Sequence, residues 1–76
     1  MTSDANEPVS DITYFANGGV KDRGSRLGGE MHGPWEFHRL DGSLMRSGSF
    51  DRGRQVGTWR TYDRAGKVVK ETSFEG

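Results

Sequence analysis

The chain has 76 residues, of which 30% are hydrophobic, 12 are glycine and none is cysteine; 11 basic side chains balance 11 acidic ones, and the mean hydropathy is −0.86. This length bounds it to one domain that buries little surface, and the lack of cysteine excludes a disulfide framework and a thiolate zinc site. A disordered chain is excluded by the recurrence of large strand-favouring residues, Tyr14, Phe15, Trp35, Phe37, Phe50, Trp59, Tyr62 and Phe74.

In chain order, residues 1–10 are polar, with Asp4 and Glu7. They lack the basic start and apolar stretch of a signal peptide or anchor, so a disordered tail on a cytoplasmic protein is expected. Strands are expected at about 11–15, 20–26, 31–39, 43–50, 56–63 and 67–74. Asn17-Gly18, Asp41-Gly42 and Ala65-Gly66 supply hairpin turns in which glycine takes a positive φ. Asp51-Arg52-Gly53-Arg54 forms a second kind of turn. Along 44–50, Leu44, Arg46, Gly48 and Phe50 share one face by period two, matched by Val68, Lys70, Thr72 and Phe74. No segment has a helical period. The fold expected is all-β, an antiparallel meander of repeated hairpins in a single twisted sheet of about six strands.

A shift of 24 residues superposes Gly33-Pro34-Trp35 on Gly57-Thr58-Trp59, Asp41-Gly42-Ser43-Leu44 on Ala65-Gly66-Lys67-Val68, and Ser49-Phe50 on Ser73-Phe74. A further step back places Asn17-Gly18-Gly19-Val20 and Ser25 in the same frame. The repeat domain, 11–76, therefore divides into a partial unit 11–28 and fuller units 29–52 and 53–76. Gly33 and Gly57, two residues before each tryptophan, are expected to leave room for an aromatic ring from a neighbouring strand. On that reading Gly33→Val or Gly57→Val overpacks the aromatic row.

The unit aromatic-x-x-Gly-x-x-x-Gly-x-Trp-x-x-Tyr-x-x-x-Gly, present as Phe50, Gly53, Gly57, Trp59, Tyr62 and Gly66, resembles MORN-type repeats. It is more closely similar to the MORN-variant repeats of small bacterial proteins described as YwqK-type antitoxins. The resemblance spans about residues 12–76 and implies protein-protein contact; phospholipid binding is associated with some eukaryotic members. The chain departs from the pattern where His38 stands in place of Tyr62, and where Arg26 stands in place of Phe50 and Phe74; the first unit is thus degenerate and a candidate cap.

No constellation for catalysis emerges. His32 and His38 on one extended strand would be roughly 20 Å apart at about 3.3 Å per residue, too far to share a metal. Asp41, Asp51 and Asp63 sit beside turns, where aspartate bonds its own backbone. Ser25, Ser49 and Ser73 follow the repeat. Gly18-Gly19 and Gly28-Gly29 lack the spacing and the following helix of a phosphate loop. A non-enzymatic chain without metal or cofactor is expected.

Residues 23–64 carry eight arginines against five acids, so a β-platform that stacks bases beside arginine is an alternative function. Zero net charge and the absence of a Lys/Arg run weigh against nucleic acid and against a membrane surface. The leading expectation is a protein-interaction or scaffolding module, antitoxin-like or a subunit of a larger assembly. Its contacts are expected at Trp35, Phe37, Arg46, Arg60, Tyr62 and Phe74, with Gly33, Gly42, Gly57, Gly66, Trp59 and Phe50 structural. The last strand, 67–74, is expected to present an open edge to a partner or to a second copy.

Overall fold

Two kinds of turn alternate along the chain and together fix the order of the strands. In the first, Gly18, Gly42 and Gly66 donate to the carbonyls of Phe15, Arg39 and Asp63, while Phe15, Arg39 and Asp63 donate to Gly19, Ser43 and Lys67. These glycines have φ of 91°, 94° and 88°, which lets the chain re-enter the ladder through a bulge. In the second kind, Gly28-Gly29 and Arg52-Gly53 are both left-handed, with φ of 60° and 88° and of 51° and 90°. Two consecutive positive φ values are the signature of the two-residue hairpin turn whose twist matches the strands.

The computed structural model describes residues 7–75. It contains β1 (Val9–Tyr14), β2 (Val20–Leu27), β3 (Glu30–His38), β4 (Leu44–Asp51), β5 (Arg54–Tyr62) and β6 (Val68–Phe74), in a single antiparallel sheet of order β1-β2-β3-β4-β5-β6. The sheet measures 45 × 34 × 12 Å, one layer thick. No helix of the described residues is long and apolar enough to cross a membrane.

The expected strands agree with these to within a few residues. The tail expected at 1–10 is too long, because Val9 and Ser10 pair with Arg26 and Ser25 at the start of β1; residues 1–6 lie outside the described range. Strand β5 begins earlier than expected because only Arg52 and Gly53 are needed for the turn, so Arg54 already pairs with Asp51.

A one-layer sheet has no second layer to bury its rings, and the chain solves this with a repeated bulge. Arg23 pairs with Glu36 and Ser25 with His32, so Gly24 alone faces Gly33-Pro34-Trp35. Likewise Gly48 alone faces Gly57-Thr58-Trp59. Gly33 and Gly57 enter these bulges with φ of 82° and 72°, a region that L side chains avoid. Each tryptophan thereby lies over the preceding strand. A Cβ built on Gly24 would be 2.2 Å from the Trp35 ring, and one on Gly48 would be 2.1 Å from Trp59. The indole Nε1 groups donate to the Ser25 carbonyl at 2.9 Å and the Ser49 carbonyl at 3.1 Å. Trp35 is 1% and Trp59 3% exposed, and they are the only hydrophobic residues buried among those described.

This corrects the role expected for Gly33 and Gly57. A Cβ at either position would meet nothing within 4 Å, so neither makes room for a ring. They are needed for backbone conformation, and the room is made by Gly24 and Gly48 on the neighbouring strands.

The first unit substitutes one solution for another. Asp11 stands one repeat before Trp35, and Arg26 one repeat before Phe50. The Arg26 guanidinium is paired with the Asp11 carboxylate, donates to the Gly29 carbonyl at 3.1 Å, and lies 5.7 Å from the Trp35 ring centroid. A salt bridge whose guanidinium lies over an indole thus replaces a tryptophan-phenylalanine contact at the end of the array.

Candidate interaction surface

Antiparallel register places directly opposed residues on the same face of a sheet. One row therefore runs Thr13, Asp22, Phe37, Arg46, Thr61, Lys70 across all six strands. It shares its face with the tryptophans and with Phe50 and Phe74, and together they make an aromatic face. Trp35 and Trp59 stack obliquely against Phe37 at centroid distances of 6.1 and 6.0 Å, and Phe50 meets the two indoles edge-on at 6.2 and 5.0 Å. Phe74 meets Trp59 edge-on at 6.4 Å. Such offset and T-shaped contacts match the ring quadrupoles.

Arg46 lies over this cluster, its guanidinium carbon 5.2 Å from the Phe37 centroid and 5.3 Å from that of Trp59. Among the described residues no carboxylate is within ion-pair distance of Arg46 or of Lys70. Both line a shallow groove of about 260 Å³, together with Gln55, Thr61 and Thr72 around Trp59 and Phe74. The C-terminal half of the aromatic face is thus cationic without compensation.

The opposite face is different in kind. Its cross-sheet row is Ile12, Arg23, Glu36, Ser47, Arg60, Glu71. The charges pair within it, Arg23 with Glu36 at 3.2 Å and Arg60 with Glu71 at 2.9 Å. A groove of about 350 Å³ on this face is lined by Ser10, Ile12, Arg23, Ser25, Pro34 and Glu36. The Tyr62 hydroxyl is 3.0 Å from the Ser47 hydroxyl. His38, in the tyrosine slot, has Nδ1 3.3 Å from the Gly42 carbonyl and a buried Nε2 that lacks a hydrogen-bond partner, 3.6 Å from the Glu36 carboxylate.

The glycine-marked turns of the first kind gather at one end of the sheet. Asn17 donates to the Leu40 carbonyl at 3.3 Å and Arg64 to the Asp41 carboxylate at 2.8 Å, each across one repeat. Hydrogen bonds from the Ser43 backbone and hydroxyl, then from Arg64, hold the Asp41 carboxyl down at about 2. At the other end Gly53 donates to the Met31 carbonyl at 2.8 Å, and Arg52 N–H donates to His32 Nδ1 at 3.2 Å. His32 and His38 both belong to β3.

The six residues expected to make contact do not form one patch. Phe37, Arg46 and Phe74 share the aromatic face; Trp35 is on it but buried; Arg60 and Tyr62 lie on the opposite face, engaged with Glu71 and Ser47. Lys70, which completes the cationic groove, was not among them. Its signal is positional: Asp22, Arg46 and Lys70 occupy the same place in successive repeats. Gly24, Gly48 and Thr72 form a second such set, legible in the sequence once the ring-bearing position is known to cross strands.

No family model matches the chain, and searches of the curated proteins and of the solved structures likewise find no match. The likeness to MORN-type repeats therefore rests on the chain's own residues.

Proposed function

We propose that this chain is a non-catalytic protein-interaction or scaffolding module of MORN-like build, working through the C-terminal half of its aromatic face. The observation that carries the reading is the contrast between the two cross-sheet rows: among the described residues Arg46 and Lys70 have no acidic partner in one, whereas Arg23 and Arg60 in the other are paired with Glu36 and Glu71. An uncompensated pair of cations beside half-buried rings is suited to an interface, where arginine and aromatic side chains supply much of the binding energy. An inhibitor of the antitoxin kind and a subunit of a larger assembly, both in the cytoplasm, are the two forms this takes.

A base-stacking platform is the weaker reading. The two indoles that would stack bases are 1% and 3% exposed, and Arg46 covers Phe37. The two readings separate in one paired measurement. Titration with single-stranded RNA and DNA at rising salt should show no specific complex. The tagged chain should capture a protein from extracts of its own cells, and Arg46→Ala with Lys70→Ala should abolish that capture while Arg23→Ala with Arg60→Ala leaves it intact. Salt-sensitive nucleic-acid binding without protein capture would reverse the assignment.

A further inference from the structure

The two edges of the sheet are not equivalent, and the difference specifies what can add to the array. Within the chain, β2 receives β3, and β4 receives β5, by the same device: a tryptophan of the incoming strand lies on a glycine of the receiving one. Gly24 and Gly48 are those glycines. In β6 the corresponding residue is Thr72. Its Cβ occupies the place where an incoming ring would lie, at distances that are 2.2 and 2.1 Å for a Cβ in the two earlier cases. A strand bearing the Gly-x-Trp bulge, including β3 or β5 of a second copy, cannot dock on β6 as the internal strands do. The strand that β6 accepts is regular and lacks tryptophan at that register.

The charge of the edge specifies the rest. Lys70 ends the row Asp22, Phe37, Arg46, Thr61, Lys70, and the next strand would place a residue directly opposite it on the aromatic face. With Arg46 and Lys70 both uncompensated, an acidic residue is what that place calls for. On the opposite face Glu71 is satisfied by Arg60, and its neighbour Val69 is 60% exposed. Positions flanking the acid therefore favour a β-branched apolar residue against Val69.

We infer that the edge of β6 is a receptor for an extended partner segment in which acidic residues alternate with β-branched apolar ones. The segment pairs antiparallel with β6, its backbone on the edge that no strand of the described residues occupies and its carboxylates on the cationic groove. This rests on the protein-interaction reading above and deepens it by naming the partner's chemistry.

The probe is a synthetic peptide of 7 residues, the length of β6, alternating valine and glutamate. It is titrated into the full chain and followed by backbone amide shifts. Binding should move the amides of β6 and those around Arg46, and glutamine in place of glutamate should weaken it about fivefold or more at low salt, the scale of one or two exposed charge pairs. Lys70→Glu should lose the glutamate peptide and gain the matching valine-lysine peptide; that exchange of preference is read in a folded protein and cannot come from unfolding. Equal binding of the glutamine peptide, shifts centred on β1, or unchanged preference in Lys70→Glu would each overturn the proposal. Absence of peptide binding alongside protein capture that depends on Arg46 and Lys70 would overturn the edge assignment and leave the interaction module standing.

Discussion

Replacing Gly48 by alanine puts a methyl group where the Trp59 ring lies. The added Cβ would be 2.1 Å from the indole, against the 3.4 Å at which ordinary van der Waals contact begins, and the backbone beneath it is held by strands on both sides. The ring must therefore lift, which stretches or breaks its 3.1 Å hydrogen bond to the Ser49 carbonyl and loosens its contacts with Phe37, Phe50 and Phe74. Overpacking of this kind costs about 1–3 kcal/mol, and a lost hydrogen bond adds about 1 kcal/mol. A loss near 3 kcal/mol is expected, a large share of the roughly 4–11 kcal/mol that a chain of this length commands at typical stability per residue. At about 4–8 °C per kcal/mol for a small domain, the midpoint should fall by roughly 10–25 °C, with red-shifted tryptophan emission in the folded baseline. Thr72→Ala, at the same place in the last repeat but under no ring, should leave both signals near those of the parent. A Gly48→Ala protein that melts within about 3 °C of the parent would refute the nesting of rings on glycine.

Gly33 should respond to the backbone rather than to volume. Gly33→Asn, which tolerates the left-handed region, should melt higher than Gly33→Val, where the strain is about 1–2 kcal/mol or more; equal losses would indicate packing instead. Arg52, the one non-glycine residue with positive φ among those described, has φ 51° in the turn where the preceding repeat has Gly28. Arg52→Gly should raise the thermal midpoint by a few degrees, corresponding to about 1 kcal/mol less the entropy glycine adds to the unfolded chain, and a lowered midpoint would count against the strain. Asp41, with its carboxyl held down at about 2 in the folded chain, binds its proton less readily when folded than when unfolded, at about 3.9. Its contribution is thus complete above pH 4 and is lost as the pH falls towards 2. Chemical denaturation should show the parent above Asp41→Asn at pH 6, with the difference shrinking through that acid window.

The hairpin turns, the meander and the 24-residue period are legible because glycine at a turn and alternation along a strand are local signals. The ring-on-glycine contact is not local. Gly24 and Trp35 are separated by a turn and by a bulge that offsets their pairing, so the glycine two residues before the tryptophan draws the attention that belongs to one eleven residues earlier. The division of the expected contact residues has a different origin. Alternation alone puts Trp59 and Thr61 on one face and Arg60 on the other, but Arg60 looks like a companion of Arg46 until the partner of each arginine is known. Glu71 on β6 and the absence, among the described residues, of any such acid beside Arg46 are facts of strand order, which composition does not carry.

A sheet built in this way should lengthen only where the receiving strand has glycine. Duplicating residues 29–52 in place joins Arg52 to a second Gly29, which restores the two-residue turn, and lays the duplicated Trp35 on Gly48 just as Trp59 lies there now. Stability in repeat arrays grows with each unit and each interface between units, so this longer protein should require more denaturant to unfold. Duplicating 53–76 at the C-terminal side adds the same number of residues and a similar composition, yet its incoming tryptophan meets Thr72. That protein should gain nothing, and its added indole should remain accessible to iodide quenching. Thr72→Gly in the second duplication should bury the ring and raise the denaturation midpoint to near that of the first. If both duplications stabilise equally without Thr72→Gly, then strand pairing alone extends the sheet, and glycine under the ring is a consequence of the fold rather than the condition for it.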